Sequence, residues 1–333
     1  MKRSTVKFVS IGLVTFLLAG AAALIVSSKP TDYEAGTASA EVLISVSEGE
    51  SGSAIALDLA KKGVILSSKT FTDLATSDRS ARGISPGAHQ IETHIPVKSA
   101  LVQLLDPTRN TGLVKVIEGT TLSDVVSVLN KAMITGPLGS QKIPPFLGHA
   151  HSLEGILFPA TYAFAPGTSR ESAISTMISQ FEKVAVSSGM SKGLDSYSPY
   201  DLLKVASLLQ IEGDPSDYSK VARVIYNRLK IGMPLQLNST VQYANNTRGK
   251  IALSRNATQI ASPYNTYIHT GLPPTPICNP GLEAMRAAQN PVDGDWLYFI
   301  TVKPHDTRFT KSFTEFQTWV ALYNKNLSLG AFR

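Results

Sequence analysis

Hydrophobic and polar positions follow several different periods along the chain. The first stretch has no polar interruption by charge: Phe8 to Ser27 reads FVSIGLVTFLLAGAAALIVS. About twenty helical residues cover about 30 Å, the depth of a bilayer core. Lys2, Arg3 and Lys7 precede the run, and Lys29 follows it before Asp32 and Glu34. That asymmetry predicts a transmembrane helix over 8–27, a cytoplasmic tail over 1–7, and the bulk of the chain outside. A cleaved signal peptide is the alternative, but its apolar region is usually shorter and no small-x-small site follows. In L-A-G-A, Ala21 stands where a lipoprotein anchor needs Cys.

Residues 28–40 are small and polar and read as a linker. A repeat follows. Ile44 to Val64 aligns with Val114 to Ile134 at an offset of 70. Each copy reads as a short strand, Glu-Gly (Glu48-Gly49, Glu118-Gly119), a Ser/Thr cap and an amphipathic helix. The matched pairs Ile55/Val125 and Leu59/Leu129 are four apart and share a helix face. Units this small must pack on something else. Residues 83–110 complete a small domain over 41–135, and the Pro/Gly-rich stretch from 136 marks the start of a larger one, 136–333.

In the larger domain the period becomes helical. LEGILFPATYAF (Leu153 to Phe164) is extended. Thr168, with Glu171 three residues on, predicts a capped helix whose buried stripe is Ile174, Met177, Ile178 and Phe181. Ser198-Pro199-Tyr200-Asp201 and Asp214-Pro215-Ser216-Asp217 each predict an N-cap, Pro at N1 and an acid at N3. Gly213 sits at the C′ position that favours positive φ. Val221, Val224, Ile225 and Leu229 form the next core stripe. Asn279-Pro280 opens another helix, WLYFITV (Trp296 to Val302) reads as a buried strand, and FTEFQTWVALY as a terminal helix. The order is mixed rather than alternating, so the fold class is α+β.

Composition narrows the choices. Hydrophobic residues make up 43% and charged ones 17%, which favours folding over disorder. The formal charge of +6 is a mild bias toward anionic surroundings. No dense Lys/Arg patch interleaved with aromatics appears, so nothing points to nucleic acid. The lone cysteine, Cys278, excludes a disulfide framework within the chain. Gly189 to Gly193 matches G-x-S-x-G, but a helix precedes it where a nucleophile elbow needs a strand. His149 and His151 have no further ligands near them in sequence, so no metal is expected. His269 and His305 fall in loops, the first near the cleft.

One run ends in an unexpected way. L-L-Q-I-E-G-D (Leu208 to Asp214) takes an apolar helix into a carboxylate, Glu212. Glu212 lies over Leu208 and Leu209, with Val205 a turn further back. An apolar margin and the carbonyl end of a helix both favour the neutral acid, while the start of the following helix favours the ionised one. A Glu held well above the ordinary carboxylate range can act as a general acid at a glycosidic oxygen. The bland alternative is an exposed helix-end residue, or one paired with Arg223 or Arg228. Around it, Asn227, Gln236, Asn238 and Gln242 are neutral hydrogen-bonding side chains. Ser262 to Gly281 packs Tyr264, Asn265, Tyr267, Asn279 and five prolines into one loop. Tyr faces stack on sugar rings and amides bond hydroxyl or acetamido groups; a structural Pro-rich turn is the competing reading.

These segments, LEGILFPATYAF, ASLLQIEG, KVARVIYNRLKIGMPLQLNSTVQYA and YNTYIHTGLPPTPICNPG, resemble the MltG/YceG-like endolytic murein transglycosylases, over about residues 41 to 325. The resemblance implies an inner-membrane anchor, a LysM-like α+β domain matching the repeats, and an extracytoplasmic catalytic domain. It implies cleavage of MurNAc–GlcNAc bonds within nascent peptidoglycan strands, leaving 1,6-anhydro-MurNAc ends, with no cofactor. The family's catalytic Glu falls on Glu212, and the substrate-binding set is Asn227, Gln236, Asn238, Thr240, Tyr264, Asn265, Tyr267 and Asn279. Implied partners are glycan strands and the membrane, with peptidoglycan synthases and division proteins as further classes. Three positions depart from the family pattern: Gln210 and Asn238 stand where acids are common, and FPDTY is FPATY with Ala160. These losses favour a one-acid mechanism. Two rivals stay open: a lysozyme-like hydrolase using Asp214 or Asp217 as base, and a non-catalytic membrane-anchored glycan-binding scaffold.

Overall fold

The structure, a computed structural model, describes residues 31–332 apart from 48, 149, 166 and 248–256. The predicted tail and transmembrane helix, and His149, lie outside the described residues. Among the described residues, no helix is long and apolar enough to cross a membrane. The chain divides into two compact units, residues up to 113 with 163–166, and residues 114–162 with 167 onward.

The first unit runs β1 (Glu41–Val46), α1 (Gly52–Lys61), α2 (Ser68–Ser77), β2 (Gly87–Glu92), α3 (Val97–Leu105) and β3 (Asn110–Thr111). Its sheet has the order β1-β2-β3 and is antiparallel, with Glu41 opposite Glu92 and Ala88 opposite Thr111. Ser51 caps α1 and Ser67 caps α2, each accepting a backbone N–H of the first turn. Ile44, Ile55, Leu59, Phe71, Ile91 and Leu104 form one apolar core between sheet and helices. Helix α2 is absent from the sequence reading, because its Ser/Thr-rich run carries a single buried residue, Phe71.

The second unit begins within β4 (Leu113–Lys115), continues through α4 (Leu122–Lys131) and the first two residues of β5 (Thr161–Ala163), and then becomes helical: α5 (Arg170–Ser187), α6 (Pro199–Glu212), α7 (Tyr218–Lys230), α8 (Asn238–Ala244) and α9 (Leu282–Gln289). It closes with β6 (Tyr298–Lys303), β7 (Asp306–Thr310) and α10 (Phe313–Ser328). Strands β4 and β5 pair, and β6 and β7 form an antiparallel hairpin. The architecture is mixed α+β.

The two repeat copies match in detail. Gly49 and Gly119 both take positive φ, at 76° and 80°, and Ser51 and Thr121 both cap the following helix. The copies do not share a domain, however. The sequence places the boundary at 135/136, whereas the compact units divide at 113/114. The second copy is tied into the larger unit by backbone. Gly119 N–H donates to Asn279 O at 2.9 Å, and Leu122 N–H donates to the Glu154 carboxylate at 3.0 Å.

Helix α6 explains where the core lies. Leu202, Leu203, Val205, Ala206, Leu208 and Leu209 are all fully buried, so the helix is apolar nearly all round and sits at the centre. Helices α7, α8 and α9 pack on it. Its start is the predicted capping box, Ser198 with Asp201, and Pro199 at N1.

Several predicted boundaries differ. Ser169, not Thr168, caps α5. Gly213 is extended (φ −137°, ψ 161°) and not left-handed, since the chain runs straight into a 3-10 turn, Pro215–Asp217, instead of folding back. Asp214 and Asp217 make no side-chain cap; Asp214 Oδ2 instead meets His305 Nδ1 at 3.0 Å. Helix α9 starts at Gly281 without a side-chain cap, because the Asn279 side chain is used elsewhere. Strand β6 is half-buried over Tyr298, Phe299, Ile300 and Thr301, which line a groove, and only Val302 is fully enclosed.

Candidate active site

Glu212 is the last residue of α6, held by six buried aliphatic neighbours on the same helix. Its Oε1 accepts the backbone N–H of Ser239 at 3.1 Å. Ser239 lies in the first turn of α8, where backbone N–H groups have no partner within the helix. The Glu212 side chain is half-buried and lines a groove of about 640 Å³. Among the described residues lining that groove, Glu212 carries the one carboxyl group.

Burial pushes the Glu212 carboxyl above the ordinary carboxylate range, and the Ser239 hydroxyl and amide pull it partly back. Tyr267 is raised by burial and by the nearby Glu212 charge, with Arg228 acting against them. Arg228 also lines the groove, but its guanidinium is committed to the carbonyls of Leu297, Pro234 and Leu235. Arg223 donates to Val292 O and Pro291 O. Neither arginine takes Glu212 as its hydrogen-bond partner in these contacts.

The groove edge next to Glu212 is built by two loops joined at one threonine. Gln236 N–H donates to Thr266 O at 2.9 Å, Leu237 N–H donates to Thr266 Oγ1 at 3.0 Å, and the Thr240 and Thr266 hydroxyls meet at 2.9 Å. Tyr267 then donates its hydroxyl to Asn238 Oδ1 at 2.5 Å. Gln236 has φ +50°, a conformation uncommon for a side chain of its size, which turns the chain into the groove.

Of the sequence-derived set, Gln236, Asn238 and Tyr267 therefore meet Glu212 in one groove. The others do not line it. Thr240 is fully buried in the threonine contact. Asn265 is fully buried; its amide nitrogen donates to Thr258 O and Ile260 O, and its oxygen accepts Tyr267 N–H. Asn279 accepts Leu157 N–H and donates to Thr120 O. Asn227 donates to Gly294 O and Trp296 O, anchoring the approach to β6. Tyr264 lines a separate cavity of about 780 Å³ with Tyr243, Glu154 and Asp124. Each of the buried amides holds a loop in place.

The sequence reading missed Ser239 and the groove residues Tyr298, Phe313, Phe316 and Tyr323. Phe313, Phe316, Val320 and Tyr323 fall at the spacing of a helical stripe, but such stripes normally mean core. The family-departing Gln210 accepts Gly281 N–H at 2.9 Å and donates to the Tyr218 hydroxyl at 3.2 Å. The G-x-S-x-G match is a left-handed Gly189 leading into a 3-10 turn after α5, with no strand before it. His269 is exposed and does not line the groove. Among the described residues, no group of three or more His, Cys, Asp or Glu side chains is close enough to hold a metal.

The chain is similar to several known proteins. The endolytic murein transglycosylase of Bacillus subtilis strain 168 is 32% identical over 298 residues, covering 82% of each protein. The endolytic murein transglycosylase of Streptococcus pneumoniae strain R6 is 39% identical over 161 residues, 46% of this chain and 29% of the relative. The crystal structure of a yceG-like protein from Listeria monocytogenes superposes with a TM-score of 0.54 and 25% identity, over 84% of this chain and 98% of that one. The model of the YceG-like family matches residues 44–321. The chain belongs to the YceG-like family.

Proposed function

We propose that this chain is an endolytic murein transglycosylase that cleaves MurNAc–GlcNAc bonds within peptidoglycan strands, with Glu212 as its acid and then its base. The observation that carries the reading is a half-buried Glu212, raised above the ordinary range, as the carboxyl group of the groove. Such a group keeps a proton closer to neutral pH and gives it to a leaving oxygen.

The reaction needs no second carboxylate. Glu212 passes its proton to the bridging oxygen as the bond from MurNAc C1 to that oxygen breaks. The resulting carboxylate takes the proton of the MurNAc C6 hydroxyl, whose oxygen bonds to C1. The 1,6-anhydro ring closes, no water is consumed, and Glu212 ends protonated as it began. The acetamido group of the sugar supports the oxocarbenium-like state, as in the substrate-assisted exceptions to two-carboxylate catalysis. The Ser239 amide stabilises the carboxylate midway. The hydrolytic rival needs a second carboxylate as a base to activate water. Asp214 is engaged with His305, and neither Asp214 nor Asp217 lines the groove.

Mass analysis of fragments released from purified peptidoglycan tests the proposal. Anhydro ends, one water lighter than reducing ends, are expected. Reducing ends instead support hydrolysis, and undigested sacculi with retained protein support a scaffold. The apolar run at 8–27 supports single-pass anchoring in the cell membrane, with the catalytic unit outside and the strand–helix repeats as a LysM-like region. Protease added to intact spheroplasts should digest the bulk of the chain; full protection would exclude that orientation.

A further inference from the structure

The groove has two chemically different linings. One comes from α6, the start of α8 and the Pro-rich loop, and presents Glu212, Gln236, Asn238 and Tyr267. The other comes from β6 and α10, and presents Tyr298, Phe313, Phe316 and Tyr323. The second lining is unusual for its element. Helix α10 carries aromatic and aliphatic residues at 313, 316, 320 and 323, the spacing of a face meant for burial. Yet no residue of α10 is buried, and Phe313 is 54% exposed.

The rings are already ordered against one another. Tyr298 stacks on Phe316 with centroids 5.2 Å apart at 26°, and Phe313 and Phe316 lie 6.4 Å apart at 30°. Beneath them, Arg228 sits 5.3 Å from the Tyr298 ring, its own position fixed by backbone carbonyls. An ordered aromatic surface beside a polar, acid-bearing one constrains what can occupy the space. An acyl chain offers nothing to the remaining hydrogen-bonding capacity of Glu212, Gln236 and Asn238, at a desolvation cost. A polar peptide leaves the rings uncovered. A pyranose ring satisfies both, because its faces are C–H groups and its edges carry hydroxyl and acetamido groups.

We infer that Tyr298, Phe313 and Phe316 form a stacking platform for the sugar rings of a glycan strand, seating the strand beside Glu212. The inference rests on reading the groove as a glycan-cleaving site. It assigns strand recognition to ring faces, on residues outside the loops that carry the polar contacts.

The test uses the full chain and leucine substitutions. Phe313→Leu and Phe316→Leu retain apolar bulk and helix propensity but remove the ring. In a Glu212→Gln background, the dissociation constant for peptide-free glycan strands should rise about three- to tenfold for each ring lost. Phe316→Tyr should restore it. In the active protein the same leucine variants should raise KM with kcat little changed and release longer fragments. Leucine variants that bind and cut like the parent overturn the inference. So does a loss shared equally by Phe316→Tyr, which marks packing instead of stacking. Should the parent release no anhydro-ended sugars, the cleavage reading fails separately. The binding titration still decides the platform, since unchanged affinity in the leucine variants excludes it.

Discussion

The backbone amide of Ser239 donates to Glu212 Oε1 across 3.1 Å, joining the last residue of α6 to the first turn of α8. The bond favours the ionised carboxyl, while the surrounding burial favours the protonated one. A group balanced between the two can serve as donor and acceptor in one turnover. The Ser239 hydroxyl is itself buried without a hydrogen-bond partner of good geometry, next to the same carboxyl group.

Glu212→Gln removes the transferable proton and keeps the shape. Peptidoglycan cleavage should fall by about 10²–10⁴-fold or more, with glycan binding retained. Fragment release from sacculi measures it. Near-wild-type release would require another acid.

The same variant should be more stable than the parent at neutral pH. Burial raises the folded-state pKa of Glu212, so between the unfolded and folded values the native state holds more protons. Stability contributed by the protonated form is full below the ordinary carboxylate range and is lost as pH rises through the raised value. Tm of Glu212→Gln should therefore exceed that of the parent at pH 7–8 and converge with it near pH 4. Equal values throughout would show that the carboxyl is not desolvated.

Ser239→Ala removes only the hydroxyl, and Ser239→Pro also removes the amide. Both weaken the ionised state of Glu212, so the alkaline limb of the kcat/KM profile should move to higher pH, further for the proline variant. The groups facing Glu212 across the groove, Arg228, Tyr267, Tyr298 and Tyr323, are unchanged in both variants, as is the neighbouring Asp214–His305 pair. An unmoved limb would separate Ser239 from catalysis.

Asn238→Asp places a second carboxyl beside the first and opposite the Tyr267 hydroxyl. Like charges resist joint ionisation, so the alkaline limb should again rise, and neutral-pH activity should change severalfold. No change would leave Asn238 a binding group alone.

Asp214→Asn should keep cleavage within about threefold, since the exposed pair it makes with His305 is worth at most about 1 kcal/mol. Products should still end in anhydro-MurNAc. A severe loss would revive the two-acid hydrolase.

Local signals carried the most information. The Ser198–Asp201 capping box, the paired positive-φ glycines Gly49 and Gly119, and the buried stripe of α6 all act within a few residues. Glu212 could be singled out because its helix and the following glycine are contiguous. What the sequence concealed is long-range. Asn279 looks like a sugar-binding amide until its partners appear, Leu157 and Thr120, which are 122 and 159 residues away. A buried amide and a ligand-binding amide have the same composition; only the fold assigns their hydrogen bonds. The aromatic stripe of α10 misleads the other way, since its spacing announces a core and the fold leaves it facing the groove.

The groove thus has one hard jaw and one soft jaw. Glu212 is mounted on a helix with seven residues sealed from solvent, whereas the rings of α10 ride on a helix with none. Amide hydrogens of α10 should exchange well before those of α6. The acid is thus carried by the more deeply enclosed of the two helices, and the rings by the more exposed one.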